Sequence, residues 1–499
     1  MRLNFLGIDI GTSAVKAVLV DERQAILAEA SVPVATRQPR PGWSEQDPGE
    51  WWQATESTIA ALRAAAPTEF GAIAALGLSG QMHAALLLDD ADAPIRPAII
   101  WNDGRAVGEC LELEASVPGL PDIAGIIAMP GFTAPKLLWL KKNEPASFAR
   151  ARRVILAKDY VRLKLTGEFA TDMADAAGTL CLDEAARSWS APILAASGIA
   201  PAMMPRLMEG SAASGKLHAR ICADWGIGRE VVVAAGAGDA AAGAIGIGAI
   251  GEGDGFISLG TSSQYFVTRE RYEPKPETLI HAFAHALPGR WFEMAAMLNG
   301  ASVLDWTARF LGGDIAGLLA RTEERFAGPS PVIFLPYLAG ERTPHNDPEA
   351  RAGFFGLDNA SVAEDLVQAV LEGVAFSLCD AQIALKAAGQ SSSAVAAIGG
   401  GARSAFWLKL IASAIGLPVL RLAGSDKGPA FGAARLARLA LTGEAPEAVC
   451  VKPKVIETIE PDPGLHAAYG ERFRTYQALY RALRQARAAR ADRLLAASR

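Results

Sequence analysis

The chain has 499 residues, 51% hydrophobic and 20% charged, with 48 Lys and Arg against 54 Asp and Glu for a net charge of −6. This composition can bury sizeable cores and excludes disordered and fibrous classes. The acidic balance argues against nucleic acid or an anionic membrane as partner, and at about 150 residues per domain the length allows two or three domains.

In chain order, Leu3 to Ile10 is apolar, Gly11-Thr12-Ser13 turns, and Ala14 to Val20 is apolar again, so the first twenty residues predict a hairpin. Residues 25–32 predict a third antiparallel strand. After a polar, Pro-containing loop over 37–49, an Ala-rich helix is expected over 51–65. Ile73 to Leu78 reads as a buried strand leading into Ser79-Gly80-Gln81-Met82-His83, and residues 84–88 form a further apolar run. The pattern turns helical from about 133 and again at Asp159. Residues 231–235 predict a strand that enters Gly236-Ala237-Gly238-Asp239 and then a helix.

The apolar stretch 231–250 has the length of a membrane span. Asp239 at its centre would cost about 2.5–3.5 kcal/mol, so no span is predicted. Asp9 interrupts the N-terminal apolar run that a signal peptide would need. Cys110, Cys181, Cys222, Cys379 and Cys450 are scattered without a C-x-x-C pair, which fits buried thiols in a cytoplasmic protein.

A Gly-rich segment over 251–255 reads as a link between domains. Directly after it, Phe256-Ile257-Ser258-Leu259-Gly260-Thr261-Ser262-Ser263 echoes residues 7–14: apolar strand, Gly-Thr-Ser turn, apolar strand. The turn glycines are 249 positions apart (260 minus 11), almost half the chain. The repeat therefore selects two domains, 1–250 and 251–499. The C-terminal helix carries Phe473, Tyr476, Leu479, Tyr480 and Leu483 on one face, with Arg481, Arg484, Arg487, Arg490 and Arg493 as a solvated stripe.

Two phosphate motifs fail on context. Gly210 to Lys216 resembles a P-loop, but Leu217 stands where a Mg²⁺-binding Ser or Thr is required. Gly246, Gly248 and Gly251 match G-x-G-x-x-G without the strand before or the helix after, so close backbone packing is expected there. The paired Gly-Thr-Ser hairpins offer another grip, because a tight turn aims successive N–H groups and hydroxyls at one anion. Asp9 would stand beside such phosphates as a ligand for hydrated Mg²⁺. Asp239, where a strand gives way to a helix, is placed either to cap that helix or to accept a proton from an attacking hydroxyl. Gly399-Gly400-Gly401 between strand and helix would admit a flat ligand such as adenine, and the small residues after Gly428 fit either close packing or a nucleoside floor.

These segments, with Gly42-Trp43-Ser44-Glu45-Gln46-Asp47-Pro48, Trp101-Asn102-Asp103-Gly104-Arg105, Lys158-Asp159-Tyr160 and Tyr337 to Pro344, resemble in order the FGGY group of sugar kinases. That group lies within the actin/Hsp70/hexokinase superfamily. The resemblance spans nearly the whole chain, and its Gln-Met-His and Trp-Asn-Asp-Gly-Arg segments are most similar to the xylulokinase branch. It implies an α/β fold of two actin-like ATPase (ribonuclease H-like) domains around a central ATP and sugar cleft. It further implies ATP-dependent phosphorylation of a ketopentose, D-xylulose first, with ATP and Mg²⁺ bound. Carried over by position, Asp239 is the catalytic base, and Met82, His83, Asp103 and Asp239 line the sugar pocket. Thr12, Ser13, Lys16, Gly260, Thr261 and Ser262 meet the phosphates, Gly400, Gly401 and Ala402 the adenosine, and Asp9 the metal. Glu341-Arg342-Thr343-Pro344 is expected to support the cleft. Homodimers are common in the group.

Ala240 follows the expected base where xylulokinases often carry Asn, and Lys409 and Ser413 replace a common Gln and Asp. The first departure bears on which ketose is chosen. A kinase of the same group acting on ribulose, glycerol or gluconate is the nearest rival, and an actin-like ATPase without sugar kinase activity is the rival from another class.

Overall fold

Asn4–Ile10 (β1) is buried at every position, the pattern of a strand covered on both faces. The structure, a computed structural model, describes residues 3–424 and 428–497, with side chains as far as residue 489. β1 pairs antiparallel with Ala14–Asp21 (β2), Asp9 opposite Lys16, and the turn falls on Gly11-Thr12-Ser13 as expected. β2 pairs antiparallel with Ile26–Pro33 (β3), whose burial alternates because it is the edge of the sheet. Pro48–Ala65 (α1) starts at a proline behind Asp47, whose carboxylate accepts from the Gly49 N–H, and it buries Trp51, Ile59 and Leu62.

Ile73–Gly80 (β4) returns parallel to β1. A largely helical insertion follows, containing Thr133–Asn143 (α2), Ala157–Thr166 (α3) and Met173–Ala177 (α4). Ala213–Lys216 (β5) and Val232–Ala234 (β6) complete a sheet of order β5-β6-β4-β1-β2-β3, with the short strand Ala237–Gly238 (β7) extending the pairing along β4. The P-loop look-alike thus ends in an edge strand antiparallel to β6, which cannot wrap a phosphate. Asp239–Ile247 (α5) follows β7 directly.

The second half repeats this plan. Gly255–Leu259 (β8) and Ser263–Arg269 (β9) form the second hairpin, with His281–Ala284 (β10) and Trp291–Met297 (β11) on the β9 side. After the long helix Ala363–Ala387 (α6), Val395–Ile398 (β12) lies parallel to β8 as β4 lies beside β1. Ala405–Ile415 (α7) leads to Val419–Leu422 (β13), which pairs with β12. The repeat read from one turn therefore extends to the strand on its far side: β4 runs through Ser79-Gly80 into Gln81, and β12 runs into the triple glycine. Helix α6 is apolar and long enough to cross a membrane, but 89% of its most apolar window is buried inside the protein, the mark of a core helix. All five cysteines are free and buried.

Gly428–Thr442 (α8) comes from the second half yet lies on the first sheet. A Cβ at Gly7 would stand 1.8 Å from the Ala430 carbonyl oxygen, and one at Gly77 1.9 Å from that of Ala433. A Cβ at Gly432 would stand 1.8 Å from the Ala242 oxygen in α5, and Gly246 faces Gly428. The G-x-G-x-x-G pattern is close packing, as expected, and the small residues after Gly428 serve the same packing. Val455–Ile459 (β14) closes the second sheet beside β13, and Pro463–Ala497 (α9) buries Tyr476 and Tyr480. Arg481 and Arg484 are exposed, and Arg487 pairs with Asp347. The side chains of Arg490 and Arg493 lie outside the described residues.

Gly77→Ala is expected to lower stability by about 2–4 kcal/mol, because backbone on both sides must move. Gly108→Ala, in a helix with open space at its Cα, should change stability by less than about 1 kcal/mol and in the stabilising direction. Thermal midpoints of the two variants, measured together, check the contrast.

Candidate active site

The first turn is braced from behind by amides and an indole. Trp101 Nε1 donates to Thr12 Oγ1 at 2.8 Å, Thr12 Oγ1 donates to Gln81 Oε1 at 3.3 Å, and Gln46 Nε2 donates to the Thr12 carbonyl at 2.7 Å. Gln81 and Trp51 both donate to Gln46 Oε1, so the support is a closed network. Ser13 and Lys16 remain exposed in front of it. Asp9 is buried beneath the turn and accepts from Ser79 Oγ at 2.8 Å. Burial raises its carboxyl above the usual range, with the Ser79 bond and the Lys16 charge opposing.

The second turn is braced by a loop after β11. The Ala301 N–H donates to the Gly260 carbonyl at 2.6 Å, and a Cβ at Gly300 would stand 2.5 Å from the Ser262 carbonyl carbon. Thr261 is exposed and Ser262 half-buried. The triple glycine sits at the end of β12 against this turn. Gly399 has φ +87 and passes close to the Leu259 carbonyl, which requires glycine. Gly400 alone of the expected adenosine contacts opens to free space; Gly401 is packed on Leu259 and Trp407, and Ala402 is buried. Gly400 is thus the open member of the three, with its two successors as the packed layer beneath.

Asp239 occupies the first turn of α5, where the helix dipole favours a carboxylate. The Ala240 N–H donates to its Oδ1 at 2.8 Å. Burial, and then the charge of Asp9, push its carboxyl up to about 7. Met82 forms one apolar wall: a Cβ at Gly238 would stand 2.7 Å from Met82 Cγ. His83 is buried with a left-handed backbone, φ +72, and its carbonyl is held by Thr133 Oγ1 and Lys136 Nζ of α2, each at 3.0 Å. Its Nδ1 lies 2.6 Å from the Gly178 carbonyl. That nitrogen must carry the proton, so Nε2 offers a lone pair to a hydroxyl. Burial holds the imidazole well below its ordinary pKa and keeps it neutral.

Asp103 differs from its expected role. Its carboxylate accepts from Arg105 Nε at 2.9 Å, Arg105 Nη2 at 2.7 Å and the Ser44 N–H at 2.5 Å, and the side chain has no exposed surface. Arg105 in turn lies 3.7 Å over the Trp43 ring. Asp103 thus organises the loop behind the pocket and offers no oxygen to a sugar.

The sequence showed Lys158 and Asp159 without their use. Lys158 Nζ meets Asp159 at 2.7 Å, Asp172 at 2.6 Å and Asp175 at 3.2 Å, all fully buried. Arg162 bonds Asp159 and donates to the carbonyls of Ala234 and Ala235, at the strand end that launches Asp239. The same cluster anchors α4, whose C-terminal Gly178 seats His83. Three carboxylates and two cations buried together leave one excess negative charge, and burial raises Asp175 well above its ordinary value. No local pattern announced this network, since its charged members come from two separate segments and grip the backbone of a third.

The Asp239 shift has a thermodynamic consequence. A folded-state value near 7 against an ordinary 3.8 means the native state binds the proton more tightly than the unfolded chain. The penalty is absent below about pH 4, grows between 4 and 7, and is complete above 7. Asp239→Asn should therefore gain about 2–4 kcal/mol over the parent at pH 8 relative to pH 4. Unfolding midpoints of both proteins at the two pH values test this, and a pH-independent difference would contradict it.

Residues 4–246 match the N-terminal domain of the FGGY family of carbohydrate kinases, and residues 255–441 match its C-terminal domain. The chain is 45% identical over 481 residues to a xylulose kinase of Escherichia coli strain K12, covering 96% of this chain and 99% of that one. It superposes on the crystal structure of a xyloylose kinase from Brucella ovis with TM-score 0.91 and 48% identity, covering 97% and 99%. A gluconate kinase from Lactobacillus acidophilus shares the fold at TM-score 0.88 and 27% identity, over 97% of this chain and 98% of that one. Paired hairpins, an acid poised at a helix start and a match across both halves have one common explanation: this chain belongs to the FGGY family of carbohydrate kinases.

Proposed function

We propose that the protein transfers the γ-phosphoryl group of ATP to O5 of D-xylulose, with Asp239 as the base. The observation that carries this is Asp239 itself: a carboxyl near pKa 7, between the Met82-His83 wall and the first hairpin turn. The attacking hydroxyl forms a bond to the γ-phosphorus as the bond to the β–γ bridging oxygen breaks. ADP leaves, and the hydroxyl proton passes to the Asp239 carboxylate. His83 Nε2 accepts from a ketose hydroxyl, and the two turns hold the phosphates with backbone N–H groups, Thr261, Ser262, Ser13 and Lys16. Most of the acceleration comes from this positioning inside a cleft that excludes water.

Asp9 fits a hydrated Mg²⁺. It is a carboxylate buried beneath the first turn, where it accepts from Ser79 Oγ, and Mg²⁺ bound mainly by phosphates and water needs one or two such groups. Bound there, the ion would supply charge neutralisation to the phosphates. High identity to proteins described as xylulose kinases, over nearly their full length, supports the choice of sugar. The buried free thiols suit a cytoplasmic setting.

A gluconate kinase on the same fold, and Ala240 in place of a hydrogen-bonding Asn, make the acceptor the point to test. An ADP-release assay over pentuloses, hexuloses, glycerol and gluconate is expected to rank D-xylulose first by kcat/KM. A higher value for glycerol or gluconate would overturn the choice. Asp239→Ala should lower turnover by about 10²–10⁴-fold while ATP still binds. In the parent, kcat/KM should fall tenfold per pH unit below about pH 7, as the base is lost.

A further inference from the structure

Glu341 and Arg342 lie in the second half of the chain, in neither hairpin, yet each is a short contact path from one of the two turns. On one side, Glu341 Oε1 accepts from the Leu298 N–H at 2.6 Å, and Oε2 accepts from Asn299 Nδ2 at 3.2 Å. Asn299 is also tied to the Gly340 carbonyl at 2.8 Å. These bonds hold the 298–301 loop, and that loop is the backing of the Gly260-Thr261-Ser262 turn through Gly300 and Ala301. On the other side, Arg342 Nη2 crosses to the first half and donates to the Trp101 carbonyl at 3.0 Å, with its guanidinium 5.5 Å from the Trp101 ring centroid. Trp101 Nε1 donates to Thr12 Oγ1, so the path ends inside the first turn. The Arg342 N–H donates to Glu341 Oε1 at 2.9 Å, which joins the two arms.

We propose that Glu341-Arg342 is a positioning pair that couples the two phosphate turns, so that a nucleotide seated on the second turn orders the first through Arg342 and Trp101. Neither residue needs to touch ATP or sugar for this. The pair carries an acid that serves one half and a base that reaches the other, adjacent in sequence, so a shift of either loop is passed along one rigid link. Thr343 extends the anchorage, donating from Oγ1 to the Leu279 carbonyl at 3.0 Å and from its N–H to the Ala296 carbonyl at 3.1 Å. The backing of the second turn and the brace of the first are thereby held by one segment.

The inference rests on reading the turns as phosphate grips, and the test separates the two. Hydrogen exchange is measured on the full chain with and without the ATP analogue AMP-PNP and Mg²⁺, over peptides covering 7–20 and 256–267. In the parent, the analogue should slow exchange in both. In Arg342→Gln and in Trp101→Phe, protection should persist at 256–267 and fall at least threefold at 7–20. Trp101→Phe keeps an aromatic ring and the backbone carbonyl that Arg342 meets while removing the Nε1 donor, so it carries the test if Arg342→Gln does not fold. The double variant should be no worse than the more affected single. Equal protection of both peptides in the variants, or losses that multiply in the double variant, would overturn the coupling. Coupled protection in a protein that phosphorylates none of the sugars would refute the proposed function and leave the coupling standing. With D-xylulose, the ratio of ADP released to sugar phosphate formed should rise above one in both variants; a ratio that stays at one with only a raised sugar KM would also overturn it.

Discussion

The close seating of α8 on β1, β4 and α5 is the constraint on which the site depends. Three backbone approaches, at Gly7, Gly77 and Gly432, leave no room for a Cβ. Packing at this distance removes freedom that side chains would otherwise allow, since backbone cannot hop between rotamers. It fixes α5 against the first sheet, and α5 presents Asp239 at its first turn. It also ties a helix from the second half to the sheet that carries the first Gly-Thr-Ser turn. One contact thus sets both the position of Asp239 and the attachment of the two halves.

Electrostatics in this protein run against stability where they serve chemistry. Asp9 and Asp239 are both buried, burial raises both carboxyls, and the charge of Asp9 makes Asp239 harder still to ionise. A carboxyl held near neutrality is the result, and its cost is borne by the packing around it. Beneath them, the Lys158 and Arg162 cluster buries charge in order to hold backbone: Arg162 grips the strand end before Asp239, and α4 seats His83. Buried ion clusters are weak sources of net stability but strong sources of geometry. Here the geometry is that of Asp239 and His83.

Much of the plan was legible along the chain because it is local. Alternation and turn chemistry gave the hairpins, and the echo of residues 7–14 at 256–263 predicted a duplicated unit that the strand orders bear out. Asp239 could be singled out as an acid between strand and helix. Asp103 could not be read correctly, because its carboxylate is claimed by Arg105 and by the Ser44 backbone, partners that a motif match does not weigh. Gly401 and Ala402 were expected at the nucleoside and are packed under the turn, since a run of glycines says where backbone approaches closely but not what approaches it.

The sequence by itself determined the class: apolar periods and turn residues act over a few positions, so two Gly-Thr-Ser hairpins, the strands around them and the ordered family segments are written in it directly. Only the tertiary structure decided which groups meet. The shift of Asp239, the tautomer of His83, the Arg162 grip and the Arg342 bridge each join residues tens to hundreds of positions apart. Their energies depend on burial and distance, which no spacing along the chain encodes. Length and composition allowed two or three domains; the repeat selected two, and α8, lying on the sheet of the other half, shows how the two are held as one enzyme.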